Sequence, residues 1–240
     1  MGPSARPAST EPGAVPIPDA RPDPITTARL AAVRAGFDPT PDLDAIEAAE
    51  RDPDPRVRAA ALGARVRCGI DARGAWRGAC GDPDPIVRRR AAELAPRVDE
   101  ADLDALLGLG TDPDASVAEV AAWALGERTE TADRGAAIDA TLERLARDHT
   151  DPLVREAAVA ALGARGTGLA TILHACGDRP AIRRRAVLAL APFEGPEVTA
   201  ALTVALGDRD WQVRQAAEDL LGVDASAEGR DPDDGTGPAG

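Results

Sequence analysis

One phrase recurs six times along this chain, and a recurring phrase constrains the fold more than any single residue. It reads DPDPRVRAAALG from Asp52, DPDPIVRRRAAELA from Asp82 and DPDASVAEVAAWALG from Asp112. It returns as DPLVREAAVAALG from Asp151, DRPAIRRRAVLALA from Asp178 and DRDWQVRQAAEDLLG from Asp208. The β-branched residue of each copy (Val57, Val87, Val117, Val154, Ile182, Val213) marks the register, with intervals of 30, 30, 37, 28 and 31 residues. A period of that size belongs to stacked units, because one unit is too thin to bury its own apolar face.

Within each copy the apolar positions fall at zero, three or four, and seven or eight residues after the mark. In the fourth copy these are Val154, Ala157, Ala158, Ala161 and Leu162, one stripe of a 3.6-residue helix. A second helical stretch precedes each phrase. The candidates are Pro41–Glu50, Asp71–Cys80, Glu100–Leu109, Arg134–Arg147, Gly168–Cys176 and Pro196–Leu206. A leading helix is expected over Thr26–Gly36, with Leu30 and Val33 inward. No alternating strand pattern occurs. Residues 1–24, rich in Pro, and the acidic residues 223–240 lack the apolar content to order themselves. The array therefore occupies residues 25–222, about six helix pairs plus the leading helix. The longest interval holds GERTETADRG, read as an extended turn.

Charge narrows the function. The chain carries −13 overall. Residues 1–25 contribute −1 and residues 223–240 contribute −4, which leaves −8 on the array. That field opposes broad phosphate-backbone binding. There is no apolar run long enough to span a membrane and no secretory h-region, so a cytoplasmic protein is expected. Cys68, Cys80 and Cys176 form no CxxC pair. Cys80 and Cys176 occupy the slot that Leu206 fills in the last copy, so they read as small core residues. Every basic residue is Arg, so a phosphate loop that requires Lys is impossible. His149 and His174 stand apart from any Ser, Cys or carboxylate spacing that would make a nucleophile or a metal site. No catalytic residue, metal or cofactor is expected.

The phrase D-x-D-P-x-V-R-x-x-A-A-x-x-L-G resembles the HEAT repeat, in the short bacterial form also called PBS-lyase HEAT-like, over residues of roughly 40–222. The resemblance implies an all-α, α–α superhelix of the HEAT/armadillo type, whose second helices line a concave face where partners bind. The third copy departs: Ala118 replaces the usual Arg, so any ladder of Asp–Arg contacts breaks there. Three enzyme groups share the repeat. The deoxyhypusine hydroxylases hold iron with His-Glu dipeptides, and here Thr150 and Ala175 follow the two histidines. Nothing marks a bilin site of the lyase type. The HEAT-like DNA glycosylases use aromatic and acidic residues in a basic groove; Trp123 and Glu119 mimic the pair, but the charge opposes it.

The Asp row (Asp52, Asp82, Asp112, Asp151, Asp178, Asp208) is read as helix caps, where a carboxylate meets free amide protons. The Arg row (Arg58, Arg88, Arg155, Arg183, Arg214) is read as structural pairing. Positions two and six after the mark point away from the packed stripe at 100° per residue. They place Arg89, Glu93, Glu119, Trp123, Glu156, Arg184, Leu188 and Gln215 on one outward strip, together with Asp219. A solvated face is the simpler reading of the Arg residues; a clamp for a partner's carboxylates or phosphates is the alternative. For Trp123, a binding anchor and burial against the extended turn are both open. Trp76 is expected in the core, Trp211 as a seal at the C-terminal end. Gly63, Gly126, Gly163 and Gly222 suit helix ends. The expected function is a non-catalytic scaffold that binds a protein or peptide on its concave face, with a DNA-lesion protein or another HEAT-derived enzyme as the competing reading.

Overall fold

The structure is a computed structural model that describes residues 23–37, 40–98 and 101–228, the side chains as far as Gly222. The expected tails at 1–24 and 223–240 lie almost wholly outside these residues, although helical backbone continues to Glu228, six residues past the expected boundary. All regular structure among the described residues is helical.

A leading helix α1 (Pro24–Ala35) is followed by six pairs. The first helices are α2 (Leu43–Glu50), α4 (Ala72–Cys80), α6 (Leu103–Leu109), α8 (Ala132–Asp148), α10 (Leu169–Ala175) and α12 (Pro196–Ala205). The second helices are α3 (Pro55–Cys68), α5 (Pro85–Leu94), α7 (Ala115–Gly126), α9 (Pro152–Arg165), α11 (Pro180–Ala189) and α13 (Trp211–Glu228). All six expected first helices therefore form, within a few residues of their predicted ends. In α1 the inward face differs from expectation: Ala32 is buried and Leu30 is exposed.

The second helices pack on one another in strict succession, while successive first helices barely touch. The layer with the closer spacing lies inside the curve, which gives the array its concave face. Helix α1 packs on α3 as the second helices pack on one another. One continuous core runs from Ala59 to Ala217. It is built from Ala, Leu, Val and Ile, with Trp76 fully buried and its indole N–H donated to the Ala91 carbonyl at 2.7 Å.

Close approach of the inner helices accounts for two glycines that the sequence suggested as helix ends. A Cβ on Gly163 would lie 2.6 Å from the Cβ of Ala189, and one on Gly126 would lie 2.9 Å from that of Ala161. Gly63 lies under the guanidinium of Arg90. Gly63, Gly163 and Gly222 are all inside helices rather than at their ends. The caps are instead Gly69 and Gly166, whose φ values of 67° and 65° require the left-handed conformation.

The Asp row also differs from expectation. The side chains that cap the second helices belong to the Asp next to the helix, except at α11, whose N-cap Arg179 makes no side-chain cap. Asp54 accepts from Arg56 N–H, Asp84 from Ile86, Asp114 from Ser116 and Asp151 from Leu153. The earlier Asp has another role. Arg58 forks onto Asp82 at 2.9 and 2.8 Å, and Arg88 onto Asp112 at 2.7 and 2.9 Å. Arg155 forks onto Asp178 at 2.9 and 3.1 Å, and Arg183 onto Asp208 at 2.8 and 2.7 Å. Each of these arginines also donates to a carbonyl at the entry of its own helix: Asp52, Asp82, His149 or Asp178. The guanidinium thus staples one unit to the next with a fixed fork geometry.

The ladder breaks between the third and fourth units on both sides at once. Ala118 stands where the Arg would be, and His149 stands where the receiving Asp would be. His149 Nδ1 accepts the Asp151 N–H at 3.1 Å, as Asp52, Asp82 and Asp112 accept from the residue two ahead. The fourth copy was registered on Asp151, which is the capping residue; His149 is the true counterpart of the ladder Asp.

Candidate functional site

The inner face holds a groove of about 730 Å³ between α7 and α9. Its α7 wall carries Glu119 and Trp123, and Glu127, the C-cap residue of α7, follows one turn beyond, so a tryptophan stands between two carboxylates. Its α9 floor is Ala157, Ala160, Ala161 and Ala164, with Val120 and Leu153 beside it. Arg89 and Glu93 close one end, Glu156 and Arg185 the other. Trp123 is 52% exposed and Leu153 57%. The neighbouring units carry Glu93 and Ala160 where α7 has Trp123, and the small Ala160 leaves the ring face open. Burial of Trp123 against the extended turn does not occur. That turn is tied instead by Arg165, which donates to the Arg128 carbonyl at 2.7 Å and to Asp139.

The charges around the groove differ in their partners. Glu93 binds Arg89 at 2.8 Å and Arg90 at 2.9 Å, and Glu156 meets Arg185 at 3.4 Å. Glu119 and Glu127 have no ion pair among the described residues.

Of the eight outward residues expected on one strip, the structure brings five together here: Arg89, Glu93, Glu119, Trp123 and Glu156. The other three, Arg184, Leu188 and Gln215, line a separate depression of about 110 Å³ between α11 and α13, with Trp211 and Asp219. Trp211 is 64% exposed and belongs to this depression rather than to a sealed C-terminal end. Sequence reasoning missed Leu153, Glu127, Arg185 and the alanine floor. Leu153 sits one residue before the register mark, so its place on the strip could have been read by angle. The floor could not, because alanine looks the same whether it lines a groove or a core.

The cysteines are structural in surroundings. Burial pushes the Cys80 thiol up to about 12 and Cys176 up to about 11, far from the thiolate form that nucleophilic or redox chemistry needs. His174 is exposed. No group of three or more His, Cys, Asp or Glu among the described residues could hold a metal ion, and no helix among them is long and apolar enough to cross a membrane.

Fold and groove together define an α–α solenoid with an open inner face. Residues 43–126, three of the six pairs, match the family of HEAT repeats. Those three pairs carry the HEAT-repeat pattern, and the described chain as a whole is an all-helical repeat solenoid. Among solved structures it is similar to YibA of Escherichia coli, at 17% identity and a TM-score of 0.63, over 85% of this chain and 76% of that one. It is similar to an engineered protein at 22% identity and a TM-score of 0.57, over 75% of this chain and 97% of that one. A designed armadillo repeat protein in complex with peptide (KR)4 aligns at 15% identity and a TM-score of 0.52, over 80% and 97%. No curated protein sequence matches significantly.

Proposed function

We propose that this protein is a non-catalytic, cytoplasmic scaffold that binds a protein or peptide on its concave face. The observation that carries the reading is Trp123, a large apolar side chain left half exposed over an open groove instead of being folded into the adjacent core. Such a residue costs solubility unless it is used, and a rigid aromatic beside a pocket is a typical binding anchor. The designed armadillo protein supports the reading, since a solenoid of similar fold stands in complex with a peptide. The acidic groove rim is unfavourable for a nucleic acid.

The test is affinity capture with wild type and with the variant Trp123→Ala. Loss of captured partners with retained helical content supports the reading. Capture of every partner by the variant at wild-type levels rejects it. DNA retention that weakens steeply with salt is the signature of the nucleic-acid alternative and is not expected.

A further inference from the structure

We infer that the groove between α7 and α9 is built for an extended, basic segment of a partner protein, with an apolar side chain seated against Trp123 and a Lys or Arg beside it. The inference rests on the concave-face reading and names the chemistry of the occupant.

Three observations lead to it. First, Glu119 and Trp123 on α7 and Glu127 at its C-cap follow one another at four-residue steps, so any chain crossing the tryptophan passes a carboxylate one turn away on either side. Second, these two carboxylates have no ion pair among the described residues, whereas Glu93 and Glu156 in the same groove are already engaged by Arg89, Arg90 and Arg185. The spare charge in the groove is therefore negative. Third, the floor is alanine and the flank is Leu153, which offers dry contact but no hydrogen bonds. A ligand that satisfies all three brings an apolar side chain for the floor and cations for the rim. A guanidinium or ammonium is also attracted to the face of the Trp123 ring. An acidic segment would meet Glu119 and Glu127 with no compensating cation, so the same arrangement rejects it.

The experiment uses the full chain and three short fluorescein-labelled peptides. They share the same leucines and differ only in carrying Lys, Glu or Gln at the remaining positions. Binding is followed by anisotropy at about 0.15 M salt, for wild type, the double variant Glu119→Gln/Glu127→Gln, and Trp123→Ala. Circular dichroism establishes that both variants remain folded. The Lys peptide is expected to bind at least about tenfold tighter than the Glu peptide, and to lose at least about fivefold in the double variant, with added salt weakening it in wild type. No measurable binding of the Lys peptide, an equal or reversed order of charge, or indifference to the double variant would each overturn the inference. The two readings separate cleanly. Binding that needs Trp123 but ignores charge removes the basic segment and leaves the concave site standing. Peptide binding that is indifferent to Trp123→Ala removes both.

Discussion

Two junctions within the array are held together by different physics. Between the second and third units, Arg88 reaches across from α5 to fork onto Asp112. Between the third and fourth, both members of that pair are gone, replaced by Ala118 and His149. Yet α7 and α9 are the most extensively packed of the inner helices. Small residues make up the difference: Ala118 and Ala161 are buried, and Gly126 lies against Ala161 with no room for a Cβ. A forked ion pair fixes distance and angle through a few strong directional contacts. A glycine–alanine seam does so through many weak ones, and only at short range. The seam also leaves α7's outer residues free of ladder duties, and this is the junction that carries the groove.

Breaking a staple should produce the largest effect. Arg88→Ala leaves Asp112, whose side chain is 6% exposed, without its cation. It is expected to destabilise the protein by about 3 kcal/mol, read from urea unfolding. At the next junction the chain itself carries Ala118 in the Arg position, and His149 in place of the carboxylate means that no buried anion is left there without its cation. Gly126→Val attacks the seam instead. Its Cβ would meet Ala161 Cβ at 2.9 Å and Cα at 3.1 Å, and an expected loss of about 2 kcal/mol should appear in the same assay. Loss below about 0.5 kcal/mol would mean the seam carries little of the junction.

Restoring the staple tests whether the two solutions are exchangeable. Ala118→Arg alone buries a guanidinium with no carboxylate to receive it and should destabilise. Adding His149→Asp should recover the loss, with a double-mutant coupling of about 1–3 kcal/mol. Zero coupling would show that His149 does not occupy the ladder slot.

Acid sharpens the comparison further. The Arg155 fork holds the Asp178 carboxyl below its ordinary value of 3.8, and the Arg183 fork does the same for Asp208. At Asp82 and Asp112 burial is the largest influence and pushes the other way, but the arginine and backbone donors together still leave both lowered. A depressed carboxylate contributes stability that is complete above its unfolded value and is lost as pH falls through the folded one. The stapled junctions should therefore weaken below about pH 4. The seam between α7 and α9 should not. Protection against amide exchange, taken relative to the intrinsic rate at pH 3, is expected to fall in α5, α11 and α13 before α7 and α9; a uniform fall would contradict the distinction. The smallest stability change is expected for Trp123→Ala, under about 1 kcal/mol, because half of the ring is already in water.

Most of the architecture was legible because it is written six times. The first helices, less regular, were placed within a few residues by their Leu and Ile spacing. The break at Ala118 was visible as a missing Arg. Its counterpart was not, because Asp151 offered a ready match to the other Asp residues. In the stapled first three copies the ladder Asp lies five residues before the mark, and Asp151 lies three before Val154. Helical angle points the strip residues in one direction, whereas the structure divides them between two depressions, one between α7 and α9 and one between α11 and α13. Helical angle gives direction from one axis; it carries no information on how far apart two axes lie.

Residue order alone specified that this chain is a row of thin helix pairs with an Arg and an Asp set for mutual capture, because repetition and the 3.6-residue period are local properties. Which Asp receives which Arg, which glycines separate helices rather than end them, and where the inner face opens around Trp123 were decided by the stacking. Those features depend on the spacing between units, and that spacing is set where side chains of different units meet.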